Sequence, residues 1–134
     1  MPLSVREILL THPTGPAGDL DTLVRCIEEC LACAQACTAC ADACLAEDDV
    51  IDLRHCIRLC LDCADVCDAT WRVATRLTDG RSPYLKKVLQ ACLDACGHSR
   101  EECERHAAHH EHCRVCEGVC KRCEDACQAL IEET

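Results

Sequence analysis

Residues 26–37 read CIEECLACAQAC and residues 56–67 read CIRLCLDCADVC, so each stretch repeats cysteine at spacings of four, three and four. The full set numbers 18: Cys26, Cys30, Cys33, Cys37, Cys40 and Cys44; Cys56, Cys60, Cys63 and Cys67; Cys92, Cys96 and Cys103; and Cys113, Cys116, Cys120, Cys123 and Cys127. A protonated thiol behaves as a small hydrophobe, whereas a thiolate is a nucleophile and a metal ligand. One or two such residues on a helix are ordinary core filling. A set this large is not, because Leu, Ile, Val or Ala would pack better without risk of oxidation. Disulfides along one helix are also poor. Side chains four residues apart lie roughly 5–6 Å apart at Cβ, beyond the ~3.5–4.5 Å that a disulfide needs. Such a stripe calls for an ion between its sulfurs.

Soft thiolates select Cu(I), zinc or iron–sulfur clusters. Structural zinc usually sits between CxxC pairs on turns that wrap a tetrahedron. Here five CxxC pairs lie inside helices and overlap CxxxC pairs, so a cysteine belongs to two pairs at once. Cu(I) suits that seam better, since two or three sulfurs satisfy it and one thiolate can bridge two ions. The ratio then approaches one Cu(I) per cysteine, and each ion cancels one thiolate charge. Neutrality matters, because unpaired buried charge is very costly.

Other chemistries lack their signatures. No His has Glu three residues before it, as a bundle di-iron site requires. There is no CxxCH for covalent haem, HAAHH lacks the Glu of a zinc protease, and there is no Gly-rich phosphate loop. Five CxxC pairs do not resemble one catalytic dithiol, so the expectation is a non-enzymatic protein.

Spacings of three and four keep residues on one face of a helix, and strands would need two. Four cysteine clusters therefore predict four helices. The same frame occurs in each, as CLDACGHSREEC at 92 and CEGVCKRCEDAC at 116, with Ser99 replacing the third cysteine of the 92 copy. Residues 1–18 read as a short N-terminal helix and linker. Ser4 and Glu7 have capping-box spacing, and the stretch from Pro13 to Gly18 is a breaker run. Residues 19–134 read as the bundle. Asp19 or Asp21 caps a first long helix running to about Glu47, and Asp49 caps a second ending near Thr78. Asp79-Gly80-Arg81-Ser82-Pro83 forms the clearest break, with Gly80 at C′, Ser82 as N-cap and Pro83 as the first helical residue. One helix from there to the C-terminus would be roughly 75 Å long at ~1.5 Å per residue, so a turn is expected at Ala107–His109. Short connections give an all-α, antiparallel, up-down-up-down four-helix bundle with inward cysteines.

Histidine gives this interior a direction. His106 and His110 continue the seam between Cys103 and Cys113, at the end that holds Cys44 and Cys56. Metal entry is expected there, with Asp52 or His55 as weaker contributors. Leu23, Ala74, Leu77, Leu85, Leu89 and Leu130 continue the seams at the other end and read as a plug. His12, His98, His109 and His112 lie off the seam and receive no role.

Composition agrees. The 134 residues suffice for one core, yet contain no Phe, one Trp, one Tyr and one Met. The net charge of −10 argues against nucleic acid and anionic membranes as partners. No secretory signal pattern opens the sequence and no apolar run approaches a membrane span, so a reducing, cytoplasmic setting is expected.

The frames CIEECLACAQAC, CIRLCLDCADVC and CEGVCKRCEDAC, one per helix, resemble the bacterial copper storage proteins across roughly residues 19–133. The resemblance implies a four-helix bundle whose thiolates hold many Cu(I) ions taken from an unidentified donor. It also implies a homotetramer, the cytosolic branch of the family, and copper-ligand roles for all 18 cysteines and for His106 and His110. Beside it stands the alternative of a zinc or general metal–thiolate buffer. Ile27, Leu31, Ile57, Leu61, Val66, Trp71 and Val73 flank the seam, where they complete the core stripe or serve contacts between subunits.

Overall fold

A computed structural model describes residues 4–16, 18–76 and 82–134 of the chain. The elements are α1 (Val5–Leu10), α2 (Leu20–Leu45), a 3-10 turn (Val50–Leu53), α3 (Arg54–Thr75), α4 (Leu85–His106) and α5 (Glu111–Ile131). No strand occurs among the described residues. Helix α2 packs on α3 and α5, and α4 packs on the same two, so the four long helices close a ring. Sulfur contacts fix the directions. Cys30 near the start of α2 meets Cys127 near the end of α5, while Cys40 meets Cys113 at the opposite end. Cys56 opposes Cys103 and Cys67 opposes Cys92 in the same antiparallel sense between α3 and α4. The result is the expected up-down-up-down bundle.

The local signals perform unevenly. Asp19 caps α2, its carboxylate accepting from the Thr22 amide at 3.2 Å, and Gly18 before it takes a φ of 75° that disfavours other residues. The Ser4 side chain makes no capping bond to α1. Helix α2 stops at Leu45, two residues before the expected Glu47, because Ala46 to Asp49 form the turn into the 3-10 segment. Asp49 precedes that segment without a side-chain capping bond, since its carboxylate is engaged by His110. Ser82 and Pro83 lie outside α4, which starts at Leu85. The Ser82 hydroxyl instead accepts from the Tyr84 amide at 3.4 Å. Leu77, Thr78, Gly80 and Ala17 lie outside the described residues. The turn between α4 and α5 occupies residues 107–110, where the phase of the seam slips.

Apolar residues close one end of the ring. Leu23, Ala74, Leu85, Leu89 and Leu130 are all buried there. Helix α1 adds Val5 and Leu9 to the core, and Arg6 pairs with Asp21 at 2.6 Å to tie it to α2. Arg100 donates to Glu124 at 2.7 Å, joining α4 to α5 outside the core. Ile27 and Ile57 are buried in the wider stripe, whereas Leu61 stays exposed.

Candidate metal centre

All 18 cysteines are free and buried, and none exceeds 2% exposure. The helical period of the frame sends every one of them to the bundle interior. Thiol contacts of 3.6–4.0 Å link Cys30, Cys33, Cys37, Cys63, Cys67, Cys92, Cys96, Cys116, Cys120, Cys123 and Cys127 into one network. These separations are nearly twice the ~2.05 Å of a disulfide bond. Cys26 lies at the plugged end of this network, against Cys127 and Cys30. Toward the other end, Cys103 lies 3.8 Å from both Cys56 and Cys60, and Cys40 lies 4.0 Å from Cys113.

Several sets bring four donor atoms within 4.8 Å of one another. Among them are Cys30, Cys92, Cys123 and Cys127; Cys33, Cys63, Cys67 and Cys96; and Cys33, Cys37, Cys63 and Cys120. Cys33 and Cys63 each belong to two of these sets. The donors therefore form overlapping groups, not separate tetrahedra, and overlap is what bridging thiolates require.

Ser99 stands inside this array. It is fully buried, and its Oγ lies 3.5 Å from Cys120, 3.7 Å from Cys60 and 3.8 Å from Cys37.

The end near Cys44 and Cys56 is polar, as expected, but its partners differ. His106 Nε2 lies 3.1 Å from the buried Glu102 carboxylate. His110 spans two acids, with Nδ1 2.8 Å from Glu47 and Nε2 3.0 Å from Asp49. Neither ring has a sulfur among its hydrogen-bond partners. His112, given no role by the seam, is the ring that reaches sulfur. Its Nδ1 lies 3.5 Å from Cys40 and 3.6 Å from Cys113, while Nε2 meets Glu47 at 2.8 Å. It joins Cys40, Cys44 and Cys113 in a set of four donors. The first turn of α5 brings it inward beside Cys113, outside the three-and-four rule. Asp52 and His55 are exposed, while the fully buried Leu53 stands between them. Glu47 had a sequence signal, since it falls three residues after Cys44 and so continues the α2 stripe.

Charge is distributed accordingly. Burial pushes the Cys44 thiol up to about 12. Cys37 and Cys67 are also raised, chiefly by the thiols of Cys116 and Cys123 against them, with burial adding to the effect. His110 is raised by its bonds to Asp49 and Glu47. Glu47 is lowered, chiefly by the bond to His112, and Asp49 by the bond to His110. Burial opposes ionisation of these thiols, but hydrogen bonds from neighbouring thiols outweigh it at some, lowering Cys26 to about 5 chiefly through Cys127 and Cys113 to about 2 chiefly through Cys40.

Thiols this close, unbridged and shielded from water define a class of protein, a helical bundle that holds soft metal ions in its interior. The chain belongs to the copper storage protein family, whose model matches residues 19–132. Copper storage is thus its function, and the zinc-buffer alternative is not favoured. No curated relative matches the chain. Among solved structures, it is similar to the copper storage protein Ccsp from Streptomyces lividans loaded with 10 copper equivalents. That match has 53% identity and a TM-score of 0.92 over 96% of this chain and 98% of that one. A cytosolic copper storage protein from Streptomyces lividans with five coppers matches at 56% identity and a TM-score of 0.81, covering 84% and 93% of the two chains. A Ccsp variant with two histidines replaced by alanine matches at 53% identity and a TM-score of 0.84, covering 87% and 98%.

Proposed function

We propose that this chain is a cytoplasmic, non-enzymatic store that takes up about one Cu(I) per cysteine, and that all 18 cysteines are its ligands. The carrying observation is the continuity of the thiol network. With sulfurs 3.6–4.0 Å apart in every direction, a bound ion always has further thiols beside it. Capacity then scales with the number of sulfurs, because bridging lets each serve two ions. The Streptomyces lividans relative with 10 copper equivalents supports high capacity, and the one described as cytosolic supports the location. The storage unit is residues 19–134, with 1–18 an appended helix and linker.

His106, His110 and His112 handle copper at the polar end. His112 passes it to Cys40 and Cys113, which its Nδ1 already faces. His106 and His110 give up their carboxylate partners to hold incoming ions. No helix among the described residues is long and apolar enough to cross a membrane. The assembled form is a homotetramer, which native mass spectrometry of the apo-protein tests by mass.

The deciding experiment titrates reduced apo-protein with Cu(I) against a competing chromophoric chelator. Uptake close to 18 equivalents is expected. Saturation at a few equivalents would overturn the reading.

A further inference from the structure

At the mouth of the bundle, the polar end where α2 stops, one oxygen atom holds two rings. Glu47 lies in the turn after α2, and its amide donates to the Cys44 carbonyl at 3.2 Å. Its carboxylate is thereby tied to the helix that carries Cys40 and Cys44. Glu47 Oε2 lies 2.8 Å from His112 Nε2 and 2.8 Å from His110 Nδ1. The two rings stack with centroids 5.5 Å apart. His110 places its second nitrogen 3.0 Å from Asp49, so acids occupy both of its nitrogens. His112 turns its second nitrogen into the bundle instead, with Nδ1 3.5 Å from Cys40 and 3.6 Å from Cys113.

The bond at Nε2 decides what Nδ1 can do. The bond to His112, with that to His110, holds the Glu47 carboxyl below the ordinary carboxylate range, so at neutral pH it is ionised and can only accept. The hydrogen in the His112 contact therefore belongs to Nε2. A neutral imidazole carries one N–H, and with it on Nε2 the lone pair lies on Nδ1, facing Cys40 and Cys113. In a protonated ring the second hydrogen sits on Nδ1, and copper displaces it from that same atom. Turning the ring over would set carbon against both Glu47 and the sulfurs, and forfeit a bond to an ionised acceptor, roughly twice as strong as a neutral one. Metal-binding histidines generally donate their other N–H to such a partner, which fixes ring orientation and tautomer.

We infer that Glu47 is a positioning residue for copper capture, which fixes the orientation and tautomer of His112 so that Nδ1 completes the donor set Cys40, Cys44, His112 and Cys113. This rests on the copper-storage reading and concerns only how the first ions are received. The four donors come from two helices, Cys40 and Cys44 from α2 and His112 and Cys113 from α5, and Glu47 joins the two where they meet the mouth. Glu47 itself is a hard oxygen donor and a poor match for Cu(I), so it acts through the ring.

Nitrogen–proton correlation NMR of the imidazole rings in reduced apo-protein reads the tautomer, and stopped-flow transfer of Cu(I) from a chelator complex reads capture. Both are run on wild type, Glu47→Ala and Glu47→Gln. Neutral His112 in wild type should carry its hydrogen on Nε2. Glu47→Ala should lose that preference and slow the first copper equivalents by about fivefold to tenfold, with total capacity kept. Glu47→Gln keeps a carbonyl acceptor in the same place without the charge, so it should retain the Nε2–H tautomer and most of the wild-type rate. A carboxylate that merely attracts the cation predicts otherwise, with Glu47→Gln as slow as Glu47→Ala and the tautomer unmoved in both. A purely structural clamp between α2 and α5 would lower the melting temperature of Glu47→Ala and leave the tautomer alone. Neutral wild-type His112 with its hydrogen on Nδ1, an unmoved tautomer in Glu47→Ala, or Glu47→Gln as slow as Glu47→Ala overturns the assignment. Saturation of wild type at a few equivalents would instead be failure of the storage reading. The tautomer is read without copper, so the two failures are distinguishable.

Discussion

Replacing Leu89 by alanine separates what holds the fold from what holds the metal. Leu89 is fully buried at the plugged end, one turn before Cys92 on the same face of α4. Truncating a fully buried leucine costs about 3–5 kcal/mol, the lost transfer free energy plus the cavity left behind. Against a total stability of about 5–15 kcal/mol for a domain, that is a large fraction. At about 4 °C per kcal/mol for a chain of this size, the reduced apo-protein should melt about 12–20 °C lower by circular dichroism. The same change at Leu61, which is 45% exposed, should move the melting point by only about 2 °C, since surface substitutions usually stay within about 0.5 kcal/mol. Copper capacity of Leu89→Ala should be unchanged, because no sulfur is removed. An apo melting point that does not move would show that the leucine end does not carry the apo fold. Equal loss of capacity and stability would show that the plug and the thiol array are one cooperative unit.

Loading should raise the melting point steeply, since free Cu(I) at 1,000 times a site's Kd adds about 4 kcal/mol from that site alone. Scanning calorimetry before and after stripping with a chelator checks it, and equal melting points would contradict it. His112→Ala removes the only one of the three mouth rings with sulfur among its hydrogen-bond partners. It should slow the first copper equivalents more than fivefold in stopped flow while leaving total capacity near wild type. His110 is raised above the ordinary ~6.5 by Asp49 and Glu47, so its stabilising contribution is complete below ~6.5 and fades as pH rises through its folded value. The contribution of the lowered Asp49 and Glu47 is present above the ordinary carboxylate range and fades as pH falls through their folded values. Ring-proton NMR of the apo-protein should therefore show His110 titrating above ~6.5, and Asp49→Asn with Glu47→Gln should return it there.

The cysteine seam made the bundle legible, because a period of three and four residues is a direct statement about helix faces. Even the turn at residues 107–110, which has neither Gly nor Pro, showed in the slip between Cys113 and Cys116. Caps were less legible. The carboxylate of Asp49 is taken by His110, a tertiary contact, and the hydroxyl of Ser82 accepts from the Tyr84 amide before the helix begins. The mouth was legible in place but not in detail. His106 and His110 stand at the right end, yet periodicity cannot foresee that neighbouring acids engage their nitrogens. His112 was missed because a residue adjacent to a seam cysteine is assigned by period to another face. In the first turn after a loop, a long ring can still reach inward. The fully buried Leu53 was missed for a related reason, as it lies on a 3-10 turn that follows no helical period.

An interior of thiols poses a charge problem that bears on how copper enters. Burial raises Cys44 to about 12, so at neutral pH that thiol is protonated before copper arrives. Many thiolates together in a space without counter-ions would be prohibitive. Cu(I) binding to a protonated thiol therefore displaces its proton, leaving the interior neutral at that step and the exterior charge of −10 unchanged. One proton out for one copper in is the stoichiometry this exchange requires. A weakly buffered titration with Cu(I) from a proton-neutral donor complex, followed by a pH indicator, should release close to one proton per ion through the whole uptake. Release well below one would mean that the apo-protein already holds thiolates, stabilised by groups at the mouth such as His112. The release should also fall off only at pH values near those of the raised thiols, several units above neutrality. A fall-off near pH 8.5, where an ordinary cysteine ionises, would show that burial does not govern the interior.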